Sequence, residues 1–282
     1  MIDLHLHTTA SDGRLSAAEL VARAAAAGLT TISVTDHDTV AAIAEVTTVA
    51  KGVNIRVVTG IEVTAVDDGR DVHMLGYFFD PGSAPLAAVL VRQRALRVAR
   101  VREIGARLSA LGMEVDVESV LLKAAVRPGS SVGRPQVARE LIRAGYVTSV
   151  QEAFDKWLAT GRPAFIPRTG PSPGAIVDAI HDAGGVASMA HPGVTRRDEL
   201  IAPLVDSGMD AIEVYHSDHT PEDHRRYQAI AHRHGLLITG GSDFHGDDPA
   251  QVPGRAKRGI LGVVSLPAPA FAALEHKVSS RR

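Results

Sequence analysis

Apolar and polar positions along the chain alternate between two rhythms. Compact apolar runs at Ile2–Leu6, Leu29–Thr35, Ile55–Val63 and Val72–Phe79 predict strands, with Gly and Asp punctuating the joins. Between the first three lie Ala-rich amphipathic stretches that predict helices over Ser16–Ala27 and Thr39–Lys51. Ser16 is placed to cap the first of these, and Gly28 to stop it. The same rhythm returns after residue 170 or so. Helices are predicted at Gly174–Ala183, Asp198–Ser207 and Pro221–His234, and strands at Val186–Met189, Ala211–Tyr215 and Leu236–Thr239. Strands that alternate with helices predict a parallel sheet, either closed into a barrel or open and doubly wound.

The middle of the chain departs from this pattern. From Pro81 to Arg168 the signals are helical. Val101, Ile104, Leu108 and Leu111 form an apolar stripe at helical spacing, ending at Gly112, and helices are also expected over Val137–Ala144 and Glu152–Ala159. The organisation predicted is an α/β domain made of residues 1–80 and 169–282, with a helical insertion at 81–168. After Pro267 the chain is expected to end in a short tail whose last residues fray.

Composition narrows the chemistry. The chain has 282 residues, 45% hydrophobic and 22% charged, enough to bury a substantial core. Net charge is −2, which argues against a general cationic surface for long nucleic acid. Cysteine is absent, excluding disulfides, thiolate nucleophiles and thiolate metal sites, while histidine reaches 13. The start of the chain lacks the pattern of a secretory leader, and no run of about 18 apolar residues occurs. A cytoplasmic location is therefore expected, with no membrane association and no obligate protein partner.

Candidate chemistry sits at predicted strand ends, where barrel loops converge. The groups are His5-x-His7 with Asp12, then Asp36-His37-Asp38, Glu62, His73, His191-Pro192 and Asp243-x-His245. Alternate strand residues share a face, so His5 and His7 can chelate one ion. Taken singly, each group has an ordinary explanation as a turn, a cap or a satisfied core histidine. Their regular recurrence points instead to a metal centre of imidazoles and carboxylates, a donor set that suits Mn, Zn or Fe.

Together, DLHLHTTASDG, TDHD, GIE, the His73 strand, AHPG and GSDFH resemble the PHP (polymerase and histidinol phosphatase) family of metal phosphoesterases. The similarity runs from residue 3 to 245 and is greatest to the subgroup with a helical insertion. That subgroup includes nucleoside 3',5'-bisphosphate phosphatases and 5'-3' exoribonucleases. The resemblance implies a distorted (β/α)7 TIM-like barrel holding two to three divalent ions, Mn foremost, with Zn or Fe as alternatives. His5, His7, Glu62 and Asp243 would hold the first ion. Glu62, His73 and His191 would hold the second, and Asp12, His37 and His245 the third. Some family members carry His at the position of Asp12; a carboxylate there favours a harder ion.

Phosphoester hydrolysis also needs anion donors and a proton source. Continuing the Val101–Leu111 stripe backwards reaches Arg97 and Arg94, which either face the cleft or form a solvated basic face. Arg134 precedes a predicted helix, where an anion is favoured, while Arg162 and Arg168 are further candidates. The subgroup usually has His where this chain has Gln136. His216 and His219 are candidate general acids, or ordinary loop residues. The expected substrate is a small phosphorylated nucleotide. Short RNA is the alternative, and a non-catalytic metal-binding module the alternative of another class.

Overall fold

The computed structural model describes residues 1–246 and 260–281. Seven strands follow one another in sheet order: β1 (Ile2–Leu6), β2 (Thr31–Val34), β3 (Arg56–Asp67), β4 (Arg70–Tyr77), β5 (Val186–Met189), β6 (Ala211–His216) and β7 (Leu237–Gly241). The segment after β7 returns to β1, where Asp243 N–H donates to His5 O at 2.8 Å and His7 N–H to Phe244 O at 3.0 Å. The sheet is thereby drawn into a nearly closed barrel, the fold that the family resemblance implied.

A wholly parallel sheet is not what forms. β4 runs antiparallel to both β3 and β5, while the other pairings are parallel. The reason is local. Asp68 and Gly69 both adopt positive φ (48° and 69°) between the paired residues Asp67 and Arg70. A two-residue loop with positive φ at both positions closes an antiparallel hairpin, whereas a parallel pair needs a long crossover.

The helices form where capping and apolar spacing agree. In α1 (Ala17–Ala26), Ser16 and Glu19 make a reciprocal capping box, and Ala17, Leu20, Val21 and Ala24 are buried. α2 is shorter than expected, Ile43–Lys51, because Thr39 instead hydrogen-bonds Gly129 O at 2.6 Å. α7 (Pro173–Asp182) packs on the β3–β4 hairpin, joining Ile176, Val177 and Ile180 to the core of Ile61, Val63, Val72 and Met74.

Residues 84–158 hold α3 (Ala84–Ala110), α4 (Val117–Ala125), α5 (Arg134–Arg143) and α6 (Val150–Ala153), the last continuing into a π-helical turn, Phe154–Leu158. They enclose a core of their own around Val101, Ile104, Leu108, Val137, Leu141 and Leu158. Two expectations change here. α4 has no counterpart in the sequence reading. Leu111 is 45% exposed: it caps α3, and Met113 fills the core position in its place.

The C-terminal tail is also ordered differently from the expectation. After α8 (Pro192–Thr195), α9 (Ile201–Asp206, preceded by a 3-10 turn) and α10 (Pro221–His234) comes α11, Ala268–Ser279. Phe271, Leu274 and Val278 bury themselves against Leu4, Val58 and Tyr77. Arg281 then clasps Asp210 through both terminal nitrogens, at 3.1 and 2.5 Å. His181 joins the same carboxylate at 2.7 Å. Leu274→Ala should lower unfolding free energy by about 2–5 kcal/mol, the cost of a methylene-lined cavity; denaturant titration measures it. A change below about 0.5 kcal/mol would mean that the helix is only loosely attached.

Candidate metal centre

Every strand sends side chains to one cleft. β1 carries His5, and the loop that follows carries His7 and Asp12. His37 follows β2, while Glu62 and His73 lie within β3 and β4. His191 follows β5, His216 ends β6, and Asp243 and His245 follow β7. Glu62 and His73 are therefore not at strand ends as expected. The parallel pairing of β3 with β2 stops at Thr59, and Glu62 belongs to the hairpin beyond it. Alternation still places Glu62 and Thr64 on one face of β3, and Asp71 and His73 on one face of β4.

Glu62 is the hub. Its Oε2 lies 3.4 Å from Nε2 of His5, 3.4 Å from Nε2 of His7 and 2.9 Å from Nδ1 of His37. Its Oε1 meets His73 Nδ1 at 2.7 Å and His191 Nε2 at 3.0 Å. Asp243 Oδ1 lies 3.1 Å from His7 Nε2 and 3.4 Å from His5 Nε2. Asp12 faces His245 at 3.2 Å, His37 at 3.6 Å and His7 at 3.7 Å. Possible ligand atoms of His5, His7, Glu62 and Asp243 all lie within 4.8 Å of one another. The same holds for His7, Asp12, His37 and His245, for His37, Glu62 and His73, and for His5, Glu213 and His216.

Glu62 Oε1 is hydrogen-bonded to His73 and His191, but several other atoms converge without a hydrogen bond. His5 Nε2, both nitrogens of His7, His37 Nδ1 and Glu62 Oε2 are buried and lack a hydrogen-bond partner. Each such atom costs about 1–3 kcal/mol. A divalent cation is the partner that would satisfy the whole group at once, so the donor set fits a metal.

The surroundings orient the donors. His5 Nδ1 donates to Glu213 Oε1 at 2.9 Å, which leaves the Nε2 lone pair for the cleft. His245 Nδ1 donates to Asp243 O at 2.8 Å with the same effect. Burial, reinforced by His245, lowers His7 to about 3. Burial would lower His245 too, but the Asp12 and Asp243 carboxylates raise it to about 9. Of Asp36-His37-Asp38, only His37 faces the cluster. Asp36 accepts from Thr8 and Ser11, holding the loop that carries Asp12. Asp38 accepts from Thr64 N–H at 2.8 Å and from Arg97.

Arginines gather beside this cluster. Arg97 is buried rather than solvated, donating to Asp38 and Thr64. Arg94 donates to Asp38 O at 3.1 Å. Asp71 faces Arg134 at 3.1 Å, Arg168 at 3.4 Å and Arg100 at 3.6 Å. Burial would raise the Asp71 carboxyl, but Arg168, Arg100 and Arg134 lower it to about 2. Burial lowers Arg168 to about 9 and Arg100 to about 10, in each case with a neighbouring arginine adding to it. Among the described residues, the carboxylates that Arg97, Arg100, Arg134 and Arg168 meet at ion-pair distance are Asp38 and Asp71, four cations against two anions. Arg100 Nη2 and Arg168 Nε are buried donors with no hydrogen-bond acceptor. Arg162 stands exposed in the turn beyond and is not part of this group. Gln136 hydrogen-bonds Gly133 N–H and Ser11 O, tying α5 to the Asp12 loop.

A sequence profile of the PHP domain matches residues 3–144. The chain belongs to the PHP family. A 5'-3' exoribonuclease of Haemophilus influenzae is 35% identical, over 86% of this chain and 89% of its own length. A 3',5'-nucleoside bisphosphate phosphatase of Chromobacterium violaceum is 33% identical, over 94% of this chain and 92% of its own. A Bifidobacterium adolescentis structure described as a metal-dependent phosphoesterase superposes with a TM-score of 0.87 at 32% identity, covering 98% of this chain and 96% of that one. In this PHP-family chain the His/Asp/Glu cluster is thus able to bind metal ions, and among the described residues no helix is long and apolar enough to cross a membrane.

Sequence reasoning missed Glu213, Asp71 and Arg100 in this PHP cleft. Glu213 was visible as a charge inside the apolar run AIEVY. Asp71 and Arg100 had no comparable signal, because only packing brings α3 over β4.

Proposed function

We propose that the protein is a metal-dependent phosphatase that removes phosphate from a small nucleotide carrying a second phosphate, such as a nucleoside 3',5'-bisphosphate. The observation that carries this reading is the juxtaposition of two features: a convergent donor set around Glu62 with several buried atoms unpartnered, and a cationic group around Asp71 with donors to spare. His5, His7, Glu62 and Asp243 would hold one ion, Glu62, His73 and His191 a second, and Asp12, His37 and His245 a third. The carboxylate of Asp12 favours Mn over softer ions. Bound divalent ions supply an acidified water as nucleophile and positive charge for the phosphoryl oxygens.

The protein's own residues do the rest. Arg134, Arg168 and Arg100 bind the phosphate that is not cleaved, exchanging part of their contact with Asp71 for the anion. Arg97 instead holds Asp38 and Thr64 in place beneath them. Residues 81–168 act as the domain that brings α3 and α5 over the mouth of the barrel formed by 1–80 and 169–282. His216 and His219 do not serve as the acid. His216 Nδ1 accepts from Asp218 N–H at 3.1 Å, and its Nε2 faces Asp243 at 3.3 Å. Both nitrogens of His219 are bound to backbone. The leaving oxygen takes its proton from solvent, which reaches the cleft past His73 and His245, each partly exposed.

The test compares kcat/KM in Mn for a nucleoside 3',5'-bisphosphate, a short 5'-phosphorylated RNA and an aryl phosphate. The bisphosphate should be preferred at least about tenfold, the worth of one charged hydrogen bond. Preference for RNA would assign an exoribonuclease instead. No turnover with Mn, Zn or Fe would assign a structural module.

Metal binding should also register in stability. At about 100 times its Kd, an ion that binds only the folded state adds about 2.7 kcal/mol. That corresponds to about 5–10 °C in Tm for a chain of this size. Calorimetry with Mn and with a chelator measures the difference; coincident melting curves would refute ion binding.

A further inference from the structure

The turn after β5 is strained. His191 adopts φ 27° and ψ 59°, a conformation that residues with a Cβ rarely occupy, and it does so at the start of α8. Such strain persists only where surrounding contacts over-determine it. Two contacts do so here, both from β6 and the loop that follows it. Glu213 Oε2 accepts the His191 N–H at 2.7 Å. His219 Nε2 accepts the Gly193 N–H at 3.0 Å.

The second contact fixes the state of His219. Its Nδ1 lies 2.8 Å from Val214 O, an acceptor only, so Nδ1 carries the proton and Nε2 is bare. The ring is wedged tightly, since a Cβ at Gly193 would lie 2.7 Å from His219 Cδ2. Tyr227 packs on the ring at 5.3 Å between centroids and is itself anchored by its hydroxyl to Asp198 at 3.0 Å. His219 is 7% exposed. Nothing in this arrangement leaves it a nitrogen with which to meet a substrate.

We propose that His219 is a positioning residue: with Glu213 it clamps the strained 191–193 turn, so that His191 Nε2 stays aimed at Glu62 Oε1. Glu213 serves twice, since its other oxygen orients His5. The clamp therefore couples the first ligand on β1 to the last ligand before β6. The proposal rests on the metal reading above only for its binding readout. Losing an outer contact of this kind lowers metal affinity about 10- to 100-fold.

The experiment titrates Mn into chelator-stripped protein, with far-UV circular dichroism and Tm recorded on the same samples. His219→Leu keeps the volume and loses the acceptor; His219→Gln can return an oxygen to the Nε2 position. The Leu variant should lose one class of Mn sites by about 10- to 100-fold while retaining the wild-type spectrum, and the Gln variant should stay within about threefold of wild type. Should the Leu variant fail to fold, Gly193→Ala, which presses a methyl into the intact ring, carries the same expectation. Wild-type affinity in the folded Leu or Ala variant would overturn the clamp, and so would loss of fold in both, which would place His219 in the core. Nitrogen-15 imidazole shifts give a readout independent of metal. The Nδ1-protonated tautomer is expected, and an Nε2-protonated ring would overturn the assignment. A wild-type protein that binds no Mn would refute the metal reading alone, leaving the tautomer to decide the clamp.

Discussion

Glu62→Gln should reduce kcat/KM by about a thousandfold or more, the kinetic equivalent of the several kcal/mol that a Lewis-acid ion supplies. The side chain touches five imidazoles, those of His5, His7, His37, His73 and His191. Burial would raise its carboxyl, but His37, His73 and His5 hold it well below the usual range, so it stands ionised among them. The amide has nearly the same shape but lacks the charge, and it turns one acceptor into a donor aimed at ring nitrogens. Bound Mn should fall together with activity, as elemental analysis would show, while the circular dichroism stays that of the wild type. Retention of a tenth of wild-type activity in a metal-replete Gln variant would remove Glu62 from the centre of the chemistry.

Arg134→Ala should separate two substrates. Turnover of a bisphosphate should fall about ten- to a hundredfold, the 1.5–3 kcal/mol of a charged hydrogen bond, while an aryl phosphate monoester changes less than about threefold. The small ester has no second phosphate to lose. Equal losses on both substrates would place Arg134 on the reacting phosphate or in the fold. Arg97 should behave differently, although both arginines were candidates for the same task. It lies buried against Asp38, and removing one partner of a buried pair costs about 3–5 kcal/mol of stability. Arg97→Ala should therefore lower the unfolding free energy and weaken turnover of both substrates alike, as paired melts and kinetics would reveal.

Local chemistry was legible wherever a residue's role depends on its near neighbours in the chain. The Ser16 cap, the span of β1, the span of α10 and the buried stripe Val101, Ile104 and Leu108 all follow from spacing and capping. The hairpin was legible in principle, since Asp68-Gly69 between two apolar runs is a turn signal that forbids a parallel pair. α11 was also visible, in Phe271, Leu274 and Val278 at helical spacing, yet a short tail after proline reads as fraying until its docking surface is known.

The sequence by itself determined the inventory of the site: imidazoles and carboxylates without thiolates, spaced along seven strands and matching an ordered family pattern. That inventory is chemical, and ligand type is a property of single residues. Only the tertiary structure decided which of those groups share an ion-sized space and which merely support it. His37 was separated from Asp36 and Asp38, Arg97 was buried on Asp38 while Arg134 met Asp71, and both ring nitrogens of His219 met backbone groups. Glu213, Asp71 and Arg100 entered from positions that no spacing rule connects. The physical reason is range: capping and periodicity act over a few residues, whereas the charge balance at Glu62 or Asp71 is summed over segments that are tens of residues apart or, for Glu62 and His191, more than a hundred, and that meet only when the chain folds.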